Sequence, residues 1–351
     1  VMLRRTLLAV VLLLTGCNAD AGAAPAFEYL GQQRIASGAT LDGTVIGGLS
    51  GISYDAGAGL YYIVSDDRSA KNPARFYTAQ IALSDNGIER VDFVGTRPWL
   101  DSHGKPFAPL DAEARPPVVP PDPEGIAYDA RRGRLYWTSE GERGDGGVRL
   151  DPWVRIAGLD GTYLGEFALP DALKTSAPDH GARQNRALEG LSLTPDGRYL
   201  WAAMEGPVYQ DGALPDEQHG AITRITRYDV DTGAADREYT YPLDAVSAGP
   251  GGDNGLSDLV ALDDGTFLVV ERGYGTHVAV RVYRAGVTEG SGQLTKTLLA
   301  DLTNTPGLTP LDNIEGITLG PRLSDGRQSV IMVSDDNFSP TQITQFLLFA
   351  M

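Results

Sequence analysis

Apolar residues along the chain fall in short alternating bursts, and each burst ends at a cluster of Gly, Asp, Asn or Pro instead of continuing at helical spacing. Such a pattern specifies short strands joined by tight turns. Five bursts share one form: Ser50-Gly51-Ile52-Ser53-Tyr54, Glu124-Gly125-Ile126-Ala127-Tyr128, Glu189-Gly190-Leu191-Ser192-Leu193, Asp258-Leu259-Val260-Ala261-Leu262 and Glu315-Gly316-Ile317-Thr318-Leu319, with starts 74, 65, 69 and 57 residues apart. Each is followed by a hairpin-type turn and a second apolar run, at Leu60–Ser65, Arg134–Ser139, Tyr199–Met204, Thr266–Val270 and Ser329–Ser334. Further alternating stretches complete most units, for example Arg75–Leu83 with Glu89–Gly95 and His277–Arg284 with Thr295–Leu302.

Four strands per repeat describe a propeller blade. The last repeat runs out of chain after a third strand at Gln342–Ala350, and a strand-like segment, Phe27–Ile35, precedes the first repeat. The expected fold is therefore all-β, a single five-bladed β-propeller closed by the N-terminal strand joining the last blade. Residues 100–123 and 171–188 are left as long loops, in which a sixth, degenerate blade is the alternative.

Acids recur at fixed places in these repeats. The second strand ends in Asp66, Glu140, Glu205, Glu271 and Asp335, and the first strand of four repeats opens on Glu124, Glu189, Asp258 or Glu315. Taken as symmetric hairpins, the pairs centre on their turns, which makes the two acids of a repeat cross-strand neighbours. The innermost strand of a blade lines the channel, so nine carboxylates are expected around one mouth. Two such charges about 5 Å apart repel by roughly 3 kcal/mol at an effective dielectric near 20, so the cluster calls for cations or raised pKa values. An all-oxygen donor set suits calcium better than zinc. Arg68, Arg143 and Arg272 follow acids closely and are candidate clamps for phosphate or carboxylate, with ion pairing to the neighbouring acid as the alternative. Asp336-Asn337, after Asp335, are candidate further oxygen ligands.

Composition narrows the partners. The formal charge is −17 and only four lysines are present, Lys71, Lys105, Lys174 and Lys296. Nucleic acid is therefore excluded as an expected partner, and a bilayer is engaged only through a lipid. That lipid is suggested by Arg4-Arg5, an apolar run from Leu7 to Leu14 that is too short to span a bilayer, and Leu14-Thr15-Gly16-Cys17, which resembles a bacterial lipobox. Residues 1–16 then form a lipoprotein signal peptide, Cys17 is the lipidated residue, 17–26 form a flexible tether and 27–351 the propeller. An ordinary signal peptide cleaved near Ala23-Ala24 is the alternative. Cys17 is the only cysteine, so no intrachain disulfide can form. No Gly-x-Ser-x-Gly elbow, Walker loop, His-Glu-x-x-His or EF-hand loop is present, and the four histidines are scattered.

The Glu-Gly-Ile/Leu entries, with the Ser65-Asp66-Asp67-Arg68 and Ser334-Asp335-Asp336-Asn337 endings, resemble the bacterial phytase-like family with esterase-like activity over nearly the whole mature chain. The resemblance implies a metal-assisted hydrolase of phosphate or carboxylic esters. It also implies that Glu124, Glu189, Asp258 and Glu315, with Asp66, Glu140, Glu205, Glu271 and Asp335, are the motif residues. The five blades and the few lysines depart from calcium-dependent propeller phytases, and phytate would need several bound cations to be held. The expected protein is an exported, lipid-anchored monomer facing the periplasm or exterior, in which calcium at the channel mouth acts on a small ester or phosphate substrate and Arg68 or Arg272 steadies developing charge. A non-catalytic surface propeller that binds a protein or glycan, and a calcium-dependent lactonase, are the competing readings.

Overall fold

A computed structural model describes residues 27–144, 148–176 and 179–351. The leader, Cys17 and the tether expected over 1–26 lie outside the described residues. Five four-stranded antiparallel sheets form the molecule. Blade I comprises Leu49–Asp55, Leu60–Ser65, Arg75–Ser84 and Gly87–Pro98; blade II comprises Pro123–Asp129, Arg134–Ser139, Trp153–Ala157 and Tyr163–Glu166. Blade III comprises Leu188–Leu193, Tyr199–Met204, Ala221–Asp229 and Ala235–Leu243, and blade IV comprises Gly255–Ala261, Thr266–Tyr274, Val278–Val287 and Leu294–Asp301. Blade V takes Ile314–Arg322, Gln328–Ser334 and Gln345–Ala350 from the C-terminal end of the chain and Glu28–Arg34 from its N-terminal end.

The closure is as the sequence pattern required. Glu28 pairs with Ala350 and Arg34 with Gln345, Phe27 stacks on Phe349 at 4.7 Å, and Arg327 of the blade V hairpin pairs with Glu28. Five blades account for the four-stranded sheets, and among the described residues the stretches around 100–122 and 167–187 carry no sixth one. Among the described residues no helix is long and apolar enough to cross a membrane.

Alternating strands leave every blade apolar on both faces, and the core consists of five separate layers, one between each pair of neighbouring blades. Tyr136, Leu188 and Leu200 belong to the layer between blades II and III; Trp201, Tyr241 and Phe267 fill that between III and IV. Between blades I and II, Trp99 from the following loop stacks on Trp137 at 4.6 Å with rings 4° from parallel. Each such side chain contributes about 1.5–3 kcal/mol by leaving water.

At the axis the innermost strands come too close for a side chain. A Cβ on Gly51 would lie 2.5 Å from the Glu124 carbonyl oxygen, and one on Gly125 2.5 Å from that of Glu189. Here the repeated Glu-Gly motif has its physical reason: glycine permits backbones to touch around the ring. All five innermost strands also break register at this place, between Leu49 and Gly51, Pro123 and Ile126, Leu188 and Leu191, Leu256 and Asp258, and Ile314 and Gly316. A bulge next to a site re-aims a side chain, and here it sends the residue before each glycine into the channel mouth.

Candidate metal centre

The bulges shift the hairpin pairing from the symmetric one. Glu140 stands opposite Asp122, whose carbonyl accepts its N–H at 3.1 Å, and not opposite Glu124. Asp66 faces Gly48, Glu205 faces Ala187 and Asp335 faces Asn313 in the same way. The mouth is therefore built from three rows: the second-strand ends, the residues opposite them, and the bulge residues Ser50, Glu124, Glu189, Ser257 and Glu315.

Blade IV corrects the sequence reading at two acids. Asp258 occupies the place of the motif glycine: a Cβ on Gly190 would lie 3.1 Å from the Cα of Asp258, just as one on Gly51 would lie 3.2 Å from that of Gly125. Its carboxylate accepts N–H bonds from Leu191 (3.2 Å), Leu259 (2.8 Å) and Ile317 (2.8 Å), tying the innermost strands of blades III, IV and V together below the mouth. Glu271 pairs with Leu256, one residue short of the collar, and turns between blades III and IV. There it accepts from the Tyr241 hydroxyl (2.8 Å), the Asn254 amide (2.9 Å) and the Asp244 N–H (3.0 Å), and it pairs with Lys296. The collar position that second-strand acids hold elsewhere belongs in blade IV to Arg272, opposite Gly255.

The other seven predicted acids, Asp66, Glu124, Glu140, Glu189, Glu205, Glu315 and Asp335, do converge, and Asp122 joins them. Asp122, Glu124 and Glu140 offer oxygens within 4.8 Å of one another, and so do Glu140, Glu189 and Glu205, all of them buried. Both triads could hold a metal ion. Asp122 was missed because it precedes the repeat motif by two residues; only its distance from Glu140 across the bulged hairpin marks it.

Electrostatics agree with the geometry. Burial first, and then the neighbouring carboxylates, push Glu124, Glu140, Glu189, Asp66 and Asp335 well above the ordinary carboxylate range. Asp122 is pushed up to about 6 by burial, against the lowering pull of Arg68. Several acceptors find no donor: Glu189 Oε2, Asp66 Oδ1 and Asn313 Oδ1 are buried without a hydrogen-bond partner. Glu189 is only 6% exposed. A buried anionic oxygen with nothing to accept from is costly unless a cation or water meets it.

Three arginines balance part of the charge. Arg272 is buried and reaches Glu315 at 2.8 Å and Glu205 at 3.4 Å; burial opposes its charge, but Glu315 and Glu205 hold it firmly protonated. Arg186, not singled out from the sequence, pairs with Glu205 at 2.9 Å and Asp253. Arg68, with its side chain 31% exposed, pairs with Glu142 and stands 3.5 Å from Asp122 at the rim. Arg143 instead donates to the carbonyls of Ser176, His180 and Ala182. Asp336 accepts from the N–H groups of Gly48 (2.9 Å) and Phe338 (3.1 Å).

A family model described as phytase-like, esterase-like activity of phytase, matches residues 44–338. The chain belongs to this phytase-like family. No curated protein sequence matches it. Among solved structures, an exo-β-1,3-galactanase from Phanerochaete chrysosporium is 10% identical over 91% of this chain and 64% of its own, with a TM-score of 0.51. An endo-arabinase from Bacteroides thetaiotaomicron (13% identity, 86% of this chain and 93% of that one, TM-score 0.46) and a gluconolactonase from Xanthomonas campestris (14%, 85% and 71%, TM-score 0.37) are also similar. At these identities the galactanase likeness speaks for the fold alone.

Proposed function

We propose that this phytase-like propeller is a calcium-dependent hydrolase of phosphate or carboxylic esters, with its reaction centre at the acidic mouth. The observation that carries the reading is the orphaned Glu189 Oε2, set among carboxylates whose oxygens are spaced for a hard cation. Carboxylate oxygens suit a hard ion, and several acids converging from separate strands suit the all-oxygen, many-ligand shell of calcium better than magnesium, which keeps several of its waters. Asp122, Glu124, Glu140, Glu189 and Glu205 would hold it. Bound calcium supplies positive charge that polarises an ester or phosphate oxygen and acidifies water.

The chain's own residues divide the remaining tasks. Arg68, at the rim and partly exposed, is placed to grip an anionic oxygen of the substrate. Arg272 has both its partners, Glu205 and Glu315, inside the collar and offsets part of the collar's negative charge. Arg4-Arg5, Leu7–Leu14 and Cys17 support export and lipid anchoring, and the protein then acts as a monomer on a small substrate outside the cytoplasm.

Hydrolysis of 4-nitrophenyl acetate and 4-nitrophenyl phosphate, with calcium and with a calcium chelator, tests the reading. Turnover of at least one substrate that chelation abolishes and calcium restores is expected, and Glu189→Gln should reduce it at least tenfold. Absence of turnover on both, or turnover indifferent to chelation, would exclude the proposal.

A further inference from the structure

An aromatic ring borders the acidic collar, and the repeat symmetry shows where it stands. In blade II the residue opposite the second-strand acid is Asp122; the equivalent residue in blade I is Gly48, whose carbonyl accepts the Asp66 N–H at 2.8 Å. Where blade II projects a carboxylate, blade I projects nothing of its own. The space is filled from blade V: a Cβ on Gly48 would fall 2.6 Å from Cε2 of Phe338 and 2.0 Å from Asp66 Oδ1, and one on Gly47 3.0 Å from Cδ1 of the same ring. The Phe338 ring thus lies over Gly47-Gly48 and beside the orphaned Asp66 oxygen.

This placement carries a conformational cost. Asn337 and Phe338 both adopt left-handed backbone, with φ of 46° and 48°, a region that bulky side chains avoid. Two successive residues there are destabilising unless the surrounding structure holds them. The turn is held by collar acids, since Asp335 accepts the Asn337 N–H at 2.7 Å and Asp336 that of Phe338 at 3.1 Å. Phe338 is only half-buried and joins none of the five core layers, so core packing does not account for the strain. Lys71 holds its ammonium 5.2 Å from the ring centroid, which adds a cation at the same edge of the mouth.

We propose that Phe338 is the specificity-determining wall of the collar site, and that the substrate is an ester carrying an apolar group, aromatic or branched, which rests on this ring while its polar end faces the carboxylates of blades II and III. The inference deepens the hydrolase reading and rests on it for the word substrate. An aromatic wall favours a carboxylic ester with a phenyl-sized group over a polyhydroxylated, many-times phosphorylated molecule.

The test uses the intact protein and neutral probes, so that metal binding and recognition are read separately. Binding of phenylacetamide and acetamide is measured by ligand-observed NMR, with and without calcium, alongside hydrolysis of methyl phenylacetate and methyl acetate. The natural protein should favour each phenyl compound about tenfold or more. Phe338→Ala should bring the preference to within about twofold and leave calcium affinity unchanged. Phe338→Gly, which relieves the left-handed strain, should do the same in a protein at least as stable as the natural one, and Phe338→Leu should keep most of the preference. A preference untouched in both the Ala and Gly variants, or absent from the natural protein, overturns the wall. A Phe338-dependent preference for phenylacetamide without calcium-dependent hydrolysis would instead leave the wall standing and remove the hydrolase reading.

Discussion

Blades II and IV share a backbone and differ in what they do with it. At the bulge, at the second-strand end and opposite that end, blade II presents Glu124, Glu140 and Asp122, whereas blade IV presents Ser257, Arg272 and Gly255. One blade supplies a complete triad of oxygen donors. The other supplies a cation whose two partners, Glu205 and Glu315, come from blades III and V. A fivefold scaffold therefore carries a one-sided arrangement: blade IV contributes a positive charge to the collar, and the two triads that could hold a metal ion lie on the side of blades II and III.

The comparison breaks most visibly at Arg272. Arg272→Met would leave Glu315 without its arginine and Glu205 with Arg186 alone, and removal of one member of a buried pair costs about 3–5 kcal/mol. Denaturant unfolding in the presence of chelator should register that loss, and calcium should recover part of it. An unchanged midpoint would mean that the blade IV cation is dispensable to the collar.

Asp258 sharpens the contrast between an acid used as a brace and one used as a ligand. Asp258→Asn sets an amide donor against one of its three N–H donors, at a cost of about 1–3 kcal/mol. Stability should fall and calcium affinity, measured by calorimetry, should hold within a few-fold.

Asp122→Asn should do the reverse. Because burial raises its carboxyl to about 6, the stability that protonated Asp122 contributes is fully present below its unfolded value near 4 and is lost as pH rises through about 6. In chelator, the variant should therefore match or exceed the natural protein in melting temperature at pH 7.5 and lose that advantage at pH 4. Calcium affinity should drop at least tenfold. A variant that is destabilised at pH 7.5 with affinity intact would move Asp122 from the ligands to the braces.

Much of this was legible in the sequence, and the misses share one cause. The repeated Glu-Gly entries, the turns after them and the surplus strand at Glu28–Arg34 specify five blades and their closure because each reports a local requirement: close backbone approach, a hairpin, an unpaired edge. Side-chain direction at the mouth is not local in that way. A bulge in each innermost strand offsets the pairing, so a symmetric hairpin sets Glu140 against Glu124 when its true opposite is Asp122. Blade IV lacks the motif glycine. Alignment by its acids places Asp258 with the glutamates and Glu271 at the mouth; alignment by the apolar residue before the bulge, Leu256 with Leu188, puts Ser257 and Arg272 there instead. Phe338 and Arg186 lie outside the repeated strands, and only the folded chain brings them to the collar.

The central claim, a calcium ion held by blades II and III, is tested most directly by anomalous scattering from crystals grown with calcium. Density among Asp122, Glu124, Glu140, Glu189 and Glu205, absent from crystals grown with chelator, is the predicted result. A collar without an ion at saturating calcium, or an ion on the blade IV side against Arg272, would contradict it.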